Sequence, residues 1–207
     1  IYIFINIMSL QLVNYQELII GKVINRPSKT IKSPYLADVE INGEIVMCHS
    51  PSLGCNGHVS TGKKVLCIEN KNKNAKSKYK VIASYNESSN NYIGTDPNIS
   101  NKIVFDMIKN NKIKGLENLT KIKAEYKINK ETRLDVYGEK GENKYYIEVK
   151  TAPVKDNTSN KAIFPKGFRK KKSDPFSPRA IKHINELISL KKENENNHCY
   201  LIFVVPK

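Results

Sequence analysis

The sequence predicts two domains in series, a small β-barrel followed by a mixed α/β domain. In residues 18–83, short runs of β-forming residues alternate with turn signals. In residues 98–207, helical patterns alternate with strand patterns. Residues 84–97 are polar and rich in Asn and Ser, which predicts a linker between the two domains. Residues 1–17 are predicted to be an N-terminal extension.

The first domain is predicted from five short strands. Asn42-Gly43 is a strong hairpin signal between the second strand and the third. Five short strands in a stretch of this length predict a small closed barrel, and five is the strand number of the OB-fold. The predicted strands are Leu18–Ile24, Leu36–Ile41, Glu44–Cys48, Lys64–Ile68 and Tyr79–Ala83.

The second domain begins with a helix that Asn98 is expected to cap and that runs to about Lys109. Its apolar residues fall on one stripe, as in an amphipathic helix. Three strands follow, at Lys121–Ile128, Arg133–Tyr137 and Lys144–Thr151. Near the end of the chain, the continuous apolar run Tyr200–Val205 predicts a buried central strand.

A second helix is predicted from Arg179 to about Lys191, with Ser177 as its N-cap and Pro178 in its first turn. Helical periodicity separates its residues into two faces. The apolar face is expected to pack on the sheet and comprises Ala180, Ile181, Ile184, Leu187 and Ile188. The polar face comprises Arg179, Lys182, His183 and Glu186.

The composition predicts a polyanionic partner. Lys and Arg number 35 against 20 Asp and Glu, so the formal net charge is +15. Nucleic acid is the simplest partner for such a charge. A membrane surface is the weaker alternative, because no long basic amphipathic helix is present.

The N-terminal apolar run Ile1–Ile7 is far shorter than the roughly 20 residues of a spanning helix. It lacks the basic flank and the small-residue cleavage site of a signal peptide. The four cysteines are expected to be free thiols in a reducing compartment. We therefore expect a soluble intracellular protein, in the cytoplasm, nucleoid or nucleus, with no membrane partner.

The segment 161–182 is strongly basic, with Asp174 as its only acid and three Phe interleaved. Basic and aromatic residues together suit a phosphate backbone with occasional base stacking. The alternative is a solvated loop whose aromatic rings tuck into the core. The candidate phosphate contacts are Lys166, Arg169, Lys170, Lys171, Lys172, Arg179 and Lys182, with His183 on the same helix face.

Two acids and a lysine are predicted to meet on one hairpin. Asp135 lies on one strand, and Glu148 and Lys150 lie two residues apart on the next, where they project to the same face. Adjacent carboxylates repel each other, and a hard cation such as Mg²⁺ relieves this repulsion. Lys150 would then orient or deprotonate an attacking water. The alternative is a solvated Glu–Lys pair of little energetic value.

Cysteine and histidine residues cluster in the first domain, which raises the alternative of a zinc site. The cluster comprises Cys48, His49, Cys55, His58 and Cys67. It contains no C-x-x-C pair, and strand cysteines are often simply buried. Buried thiols are therefore expected rather than zinc.

Several runs resemble the sugar fermentation stimulation protein A (SfsA) family and occur in that family's order. They span most of the chain from about Leu18 to Val205. The runs are Gly21–Thr30, Tyr35–Glu40, Ile41–Glu44, His49–Pro51, Gly94-Thr95 with Pro97-Asn98, Glu125, Thr132-Arg133, Asp135, Glu148–Lys150 and Ala180–Leu187. Members of the family combine an N-terminal OB-fold domain with a C-terminal domain of the PD-(D/E)xK nuclease type.

The resemblance implies DNA binding by the first domain, with Arg26 and Lys29 at basic positions of its early motif. It also implies a metal-dependent nuclease core in the second domain. By this analogy, Asp135 and Glu148 would bind Mg²⁺ or Mn²⁺ and Lys150 would be the catalytic lysine. Glu125 would be an additional acid at the site.

The leading hypothesis is thus a two-domain DNA-binding protein with a divalent-metal-dependent nuclease core. One alternative is a DNA-binding or regulatory protein that keeps the nuclease fold without its activity. Another is an RNA-directed version, because an OB-fold accepts single strands of either nucleic acid.

Overall fold

The computed structural model describes residues 17–52, 57–72, 74–152, 154–155, 162–163 and 177–206. The chain divides into two compact units. One is built mainly from the residues up to Asn98, and the other mainly from residues 99–150 and the C-terminal helix and strand. Among the described residues, neither helix is long and apolar enough to cross a membrane.

The first unit is a closed barrel. Its strands are β1 (Ile19–Asn25), β2 (Leu36–Ile41), β3 (Glu44–His49), β4 (Lys64–Glu69) and β5 (Tyr79–Asn86). They follow the order β3-β2-β1-β4-β5, and β3 pairs in parallel with β5 to close the barrel. The predicted five-stranded OB-like barrel is confirmed.

The barrel core consists of aliphatic and thiol side chains, all from the strands except Val59, which lies between β3 and β4. Its buried members are Val23, Ala37, Val39, Ile41, Cys48, Val59, Val65, Cys67 and Val81. Gly21 allows β1 and β2 to approach closely, because a Cβ at this position would lie 2.5 Å from Val39 Cγ1 and 3.0 Å from the Glu40 carbonyl oxygen.

The predicted linker is wrong for most of its length. β5 continues to Asn86, and a further strand, β6 (Asn91–Gly94), pairs antiparallel with it. The Asn- and Ser-rich stretch between these strands forms the turn of a hairpin. Turn-forming residues mark both linkers and hairpins, and the pairing partner decides between the two.

The second unit contains a four-stranded sheet and two helices. Helix α1 (Pro97–Lys109) precedes β7 (Thr120–Lys127), β8 (Arg133–Lys140) and β9 (Asn143–Thr151). A short pair, β10 (Val154–Lys155) and β11 (Ala162–Ile163), comes next along the chain. Helix α2 (Pro178–Glu193) and β12 (Asn197–Val204) follow, and the sheet order is β12-β9-β8-β7. This is the predicted mixed α/β domain.

The two helices pack against alternate residues of the central strands. Val104 and Ile108 of α1 belong to one apolar cluster with Ile147 of β9. Leu187 of α2 clusters instead with Tyr146, the neighbouring residue on β9. Because strand side chains alternate between faces, α1 and α2 cover different faces of the sheet.

Neither residue that was predicted to cap a helix makes the capping hydrogen bond. Asp96, rather than Asn98, caps α1, because its Oδ1 accepts the backbone N–H of Asn98 at 3.0 Å. Ser177 does occupy the N-cap position of α2, but its side chain makes no capping hydrogen bond and its φ is 50°. Pro178 therefore provides the start of α2, since its φ is already helical.

The last strand also differs from its prediction. β12 lies at an edge of the four-stranded sheet, whereas its apolar run predicted a central position. Its burial is correspondingly partial, and 38% of Phe203 is exposed. The continuous apolar run of β12 therefore did not show whether this strand is central in the sheet or lies at its edge.

Gly21→Ala should destabilise the barrel by about 1–3 kcal/mol, because the added methyl group forces β1 away from Val39. Urea unfolding followed by circular dichroism would measure the loss. Lys22→Ala is the matched control, since Lys22 is the exposed neighbour on the same strand. Equal stability of the two variants would contradict the close-packing argument.

Candidate active site

Strand register brings the two predicted carboxylates together. β8 and β9 pair antiparallel with Val136 opposite Ile147. The next step in this register places Asp135 opposite Glu148. The backbone N–H of Val149 donates to Asp135 Oδ2 at 2.7 Å, so a side chain joins the two strands at this point.

Glu148 is buried, with only 1% of the residue exposed. Its Oε1 accepts hydrogen bonds from Lys150 Nζ and from His183 Nδ1, the latter at 2.5 Å. Its Oε2 is buried and has no hydrogen-bond partner. Burial alone would raise the pKa of Glu148, but His183 and the charge of Lys150 outweigh it and hold this pKa below its ordinary value.

Asp135 has two donors and the opposite pKa shift. Its Oδ1 accepts from the Asn101 side-chain amide at 2.6 Å, and its Oδ2 accepts from Val149. Burial and the nearby charge of Glu148 raise the pKa of Asp135 to about 6. The two carboxyl groups are therefore close enough to repel each other, and they differ in acidity.

This pair of carboxylates fits a hard divalent cation. Mg²⁺ in proteins is usually held by one or two carboxylates and keeps several waters. Glu148 Oε2 has no hydrogen-bond partner and can serve as a ligand atom. The repulsion between the two acids favours a cation bound between them. Among the residues that the structure describes, no three His, Cys, Asp or Glu side chains form a metal-binding group, so the fit rests on these two.

Glu125 lies beside this pair without being buried in it. Ala124 pairs with Val136 across β7 and β8, so the same register sets Glu125 opposite Asp135. Its side chain is 60% exposed and lies 3.5 Å from Arg133. Its charge contributes the smallest of the effects that shift the pKa of Asp135. The structure thus places Glu125 at the margin of the site.

His183 occupies a different position from the one predicted. The sequence assigned it to the polar face of α2, but the residue is 8% exposed and bonded to Glu148. The buried residues of α2 are Ala180, His183 and Leu187, so the buried face is rotated toward His183, and Ile188 is 47% exposed. The buried carboxylate accounts for this rotation, because it requires a polar partner.

Asn101 was missed by the sequence analysis. It lies three residues before Val104 and seven before Ile108, on the apolar stripe of α1. A polar residue on such a stripe is the signal that could have identified it, since a buried amide needs a partner.

Arg26 and Lys29, the two barrel residues predicted to contact nucleic acid, differ in their hydrogen bonds and exposure. Arg26 donates to the carbonyl oxygens of Pro34, Val59 and Ser52, with its shortest bond at 2.5 Å. Its guanidinium therefore ties together loops of the barrel. Lys29 is exposed, and its backbone N–H donates to the buried Asp38.

The predicted contacts of the basic segment are only partly described. Arg179 and Lys182 lie exposed on α2, and Lys182 pairs with Glu131 at 3.2 Å. The remaining five lie outside the described residues and are Lys166, Arg169, Lys170, Lys171 and Lys172.

The cysteines of the first unit behave as core residues. Cys48 and Cys67 are free, fully buried members of the barrel core. A hydrogen bond with Cys67, together with burial, raises the pKa of the Cys48 thiol, which disfavours the thiolate that zinc requires. Cys55 lies outside the described residues.

Comparison with known proteins agrees with this architecture. The sequence profile of the family described as "Sugar fermentation stimulation protein RE domain" matches residues 98–207. A sugar fermentation stimulation protein homolog from Pelagibacter ubique is 33% identical over 191 residues, which are 92% of this chain and 75% of the relative. The chain belongs to this family.

Other members and a solved structure extend the comparison. The homolog from Desulfotalea psychrophila is 30% identical over 84% of this chain and 68% of its own length. The structure of Pyrococcus furiosus SfsA in complex with Ca²⁺ is similar with a TM-score of 0.77, over 96% of this chain and 77% of that chain. At 19% sequence identity, this similarity shows that the family fold is shared.

Asp135→Asn should change how stability depends on pH. The folded pKa of about 6 exceeds the ordinary value of 3.8, so wild type loses stability from this group as pH rises between these values. The variant has no titratable group at position 135. Its free energy of unfolding relative to that of wild type should therefore rise by on the order of 2 kcal/mol between about pH 4 and about pH 7.

Urea unfolding at each pH would measure this difference. Asp106→Asn is the control, because it removes a carboxylate of the same domain that pairs with Lys102 on α1. Parallel stability profiles for wild type and Asp135→Asn would contradict the raised pKa.

Proposed function

We propose that the protein binds DNA and hydrolyses its phosphodiester bonds in a reaction that depends on a divalent metal. One observation carries this proposal: the buried Glu148 carboxylate, with a free oxygen, lies beside Asp135 and Lys150. A buried acid cluster with opposed pKa shifts is typical of a functional site. Such a cluster is costly to fold and contributes little stability by itself.

Asp135 and Glu148 would hold Mg²⁺ or Mn²⁺. Pyrococcus furiosus SfsA was solved as a complex with Ca²⁺, another hard divalent cation, which supports a cation site in this family. When bound, such an ion acidifies a coordinated water and offsets phosphate charge. The described geometry supports carboxylate ligands for the ion and a cationic side chain beside them.

Lys150 would act on the attacking water or on the phosphate. Its side chain is 17% exposed and its ammonium group contacts Glu148 Oε1, so a cationic group lies beside the acid pair. From this position it can orient the nucleophile or offset charge that develops on the phosphoryl oxygens. Glu125, opposite Asp135 in the strand register, would be an auxiliary acid at the margin of the site.

DNA is the proposed substrate because the formal net charge of +15 favours a polyanion. Exposed Lys29, Arg179 and Lys182 would contact phosphates together with the basic residues of segment 166–172. RNA would be bound by the same charge. Competition between the two nucleic acids at matched salt separates them, since phosphate contacts make affinity depend on ionic strength. A DNA substrate also fits the expected intracellular location.

Asp135→Ala and Lys150→Ala should each lower Mg²⁺-dependent cleavage of DNA by at least about 100-fold. Glu125→Ala should lower it less, because Glu125 is exposed at the margin. Cleavage of labelled single- and double-stranded DNA with Mg²⁺ or Mn²⁺ measures the effect. Lys144→Ala is the matched control for Lys150→Ala, since Lys144 is an exposed lysine on the same strand.

Full activity in a folded Asp135→Ala variant would contradict the assignment. DNA binding by wild type without cleavage, and without Mg²⁺ binding by calorimetry, would favour the non-catalytic alternative. In that case Lys150→Ala would alter DNA affinity alone.

Alanine substitution of the basic residues in segment 166–172 should weaken DNA binding and reduce its dependence on salt. These residues are Lys166, Arg169, Lys170, Lys171 and Lys172. Each lost phosphate contact should reduce the slope of log affinity against log salt by about 0.9 on duplex DNA. Fluorescence anisotropy over a range of salt concentrations measures the slope. Lys71, Lys76 and Lys78 provide a control set from a basic loop of the barrel, and an equal slope change there would contradict a specific role for the segment.

A further inference from the structure

His183 makes a contact that the proposed hydrolysis does not yet use. Its Nδ1 lies 2.5 Å from Glu148 Oε1, and the residue is 8% exposed. A carboxylate has no proton to donate, so Nδ1–H is the donor and the tautomer of the ring is set by Glu148.

The hydrogen bonds of Glu148 are unevenly distributed between its two oxygens. Both donors, Lys150 Nζ and His183 Nδ1, are bonded to Oε1. Oε2 is buried and without a partner. A donor fixed on Oε1 restricts rotation of the carboxylate and keeps Oε2 in one direction.

The two donors differ in rigidity. Lys150 is a flexible side chain at a partly exposed position. His183 lies between the buried residues Ala180 and Leu187 on one face of α2, so its ring is held by the packing of the helix. The Thr132 hydroxyl donates a hydrogen bond to Glu186 Oε1 at 3.1 Å, which further anchors this helix.

We propose that His183 is a positioning residue that holds Glu148 with Oε2 directed at the divalent cation, and thereby frees Lys150 for the reaction. With His183 in place, Lys150 can leave Oε1 for water or phosphate without leaving that buried oxygen unpaired. This inference rests on the proposed metal-dependent function. It assigns His183 to the support of a metal ligand, whereas the sequence suggested a phosphate contact.

Two substitutions each remove one hydrogen-bond donor from Glu148 Oε1. Comparing them distinguishes orientation of the Glu148 carboxylate from a general effect of charge on metal binding. His183→Ala should weaken Mn²⁺ and Mg²⁺ binding by about 10- to 100-fold, as loss of a residue that orients a metal ligand does. Lys150→Ala should not weaken binding in this way, because it removes a positive charge that repels the cation and leaves the His183 hydrogen bond to Glu148 in place. Isothermal titration calorimetry on the full chain, without nucleic acid, measures both.

His183→Asn is the rescue variant. An Asn side-chain amide places its nitrogen near the Nδ1 position and can donate the same hydrogen bond. This variant should recover most of the metal affinity, and it keeps the test decisive if His183→Ala does not fold. His198→Asn is the control, because His198 lies in the same domain, bonded to Asn143 at 2.8 Å and stacked on Tyr145.

The outcomes are distinct. Weak binding by His183→Ala with recovery in His183→Asn supports the positioning role. Wild-type affinity in a folded His183→Ala variant, or an equal loss in His183→Ala and His183→Asn, overturns it while leaving the proposed function intact. Absence of Mn²⁺ and Mg²⁺ binding by wild type overturns the metal-dependent function and this inference together.

Discussion

A carboxylate buried in the middle of a strand is the constraint on which the second domain depends. Removing an ion from water costs several kcal/mol unless partners compensate it. Glu148 obtains that compensation from its own strand through Lys150 and from α2 through His183. The second helix is therefore oriented by a polar contact as much as by its apolar stripe. On the other side, α1 supplies Asn101 to Asp135, so each helix supports one acid.

The two acids of the candidate site have pKa values that are shifted in opposite directions. Asp135 and Glu148 occupy neighbouring strands, yet the pKa of one is raised and that of the other lowered. The difference follows from their donors, because Glu148 has a lysine and a histidine whereas Asp135 has neutral amides. One acid is thus poised to exchange a proton in mildly acidic solution, and its neighbour stays ionised.

The sequence predicted what local periodicity determines. A period of two located the strands and put Glu148 and Lys150 on one face, and the hairpin brought in Asp135. It did not predict the features that depend on distant partners. His183 was assigned to the wrong face because its helix was read from hydropathy alone. The edge position of β12 and the β5–β6 hairpin depend on which strands pair, and single segments do not encode this.

A count of basic residues does not distinguish positive charge from the ability to hydrogen-bond an anion, and at Arg26 these two properties differ. Four of its five N–H donors are bonded to carbonyl oxygens of barrel loops, and none of these four bonds goes to a carboxylate. The guanidinium therefore still adds to the positive potential around the barrel while its hydrogen-bonding fork is unavailable to a phosphate. At such a position, lysine would preserve the long-range attraction and lose the tether between loops. Long-range attraction of an anion and direct hydrogen bonding to it would thus fall to different cations of the same chain.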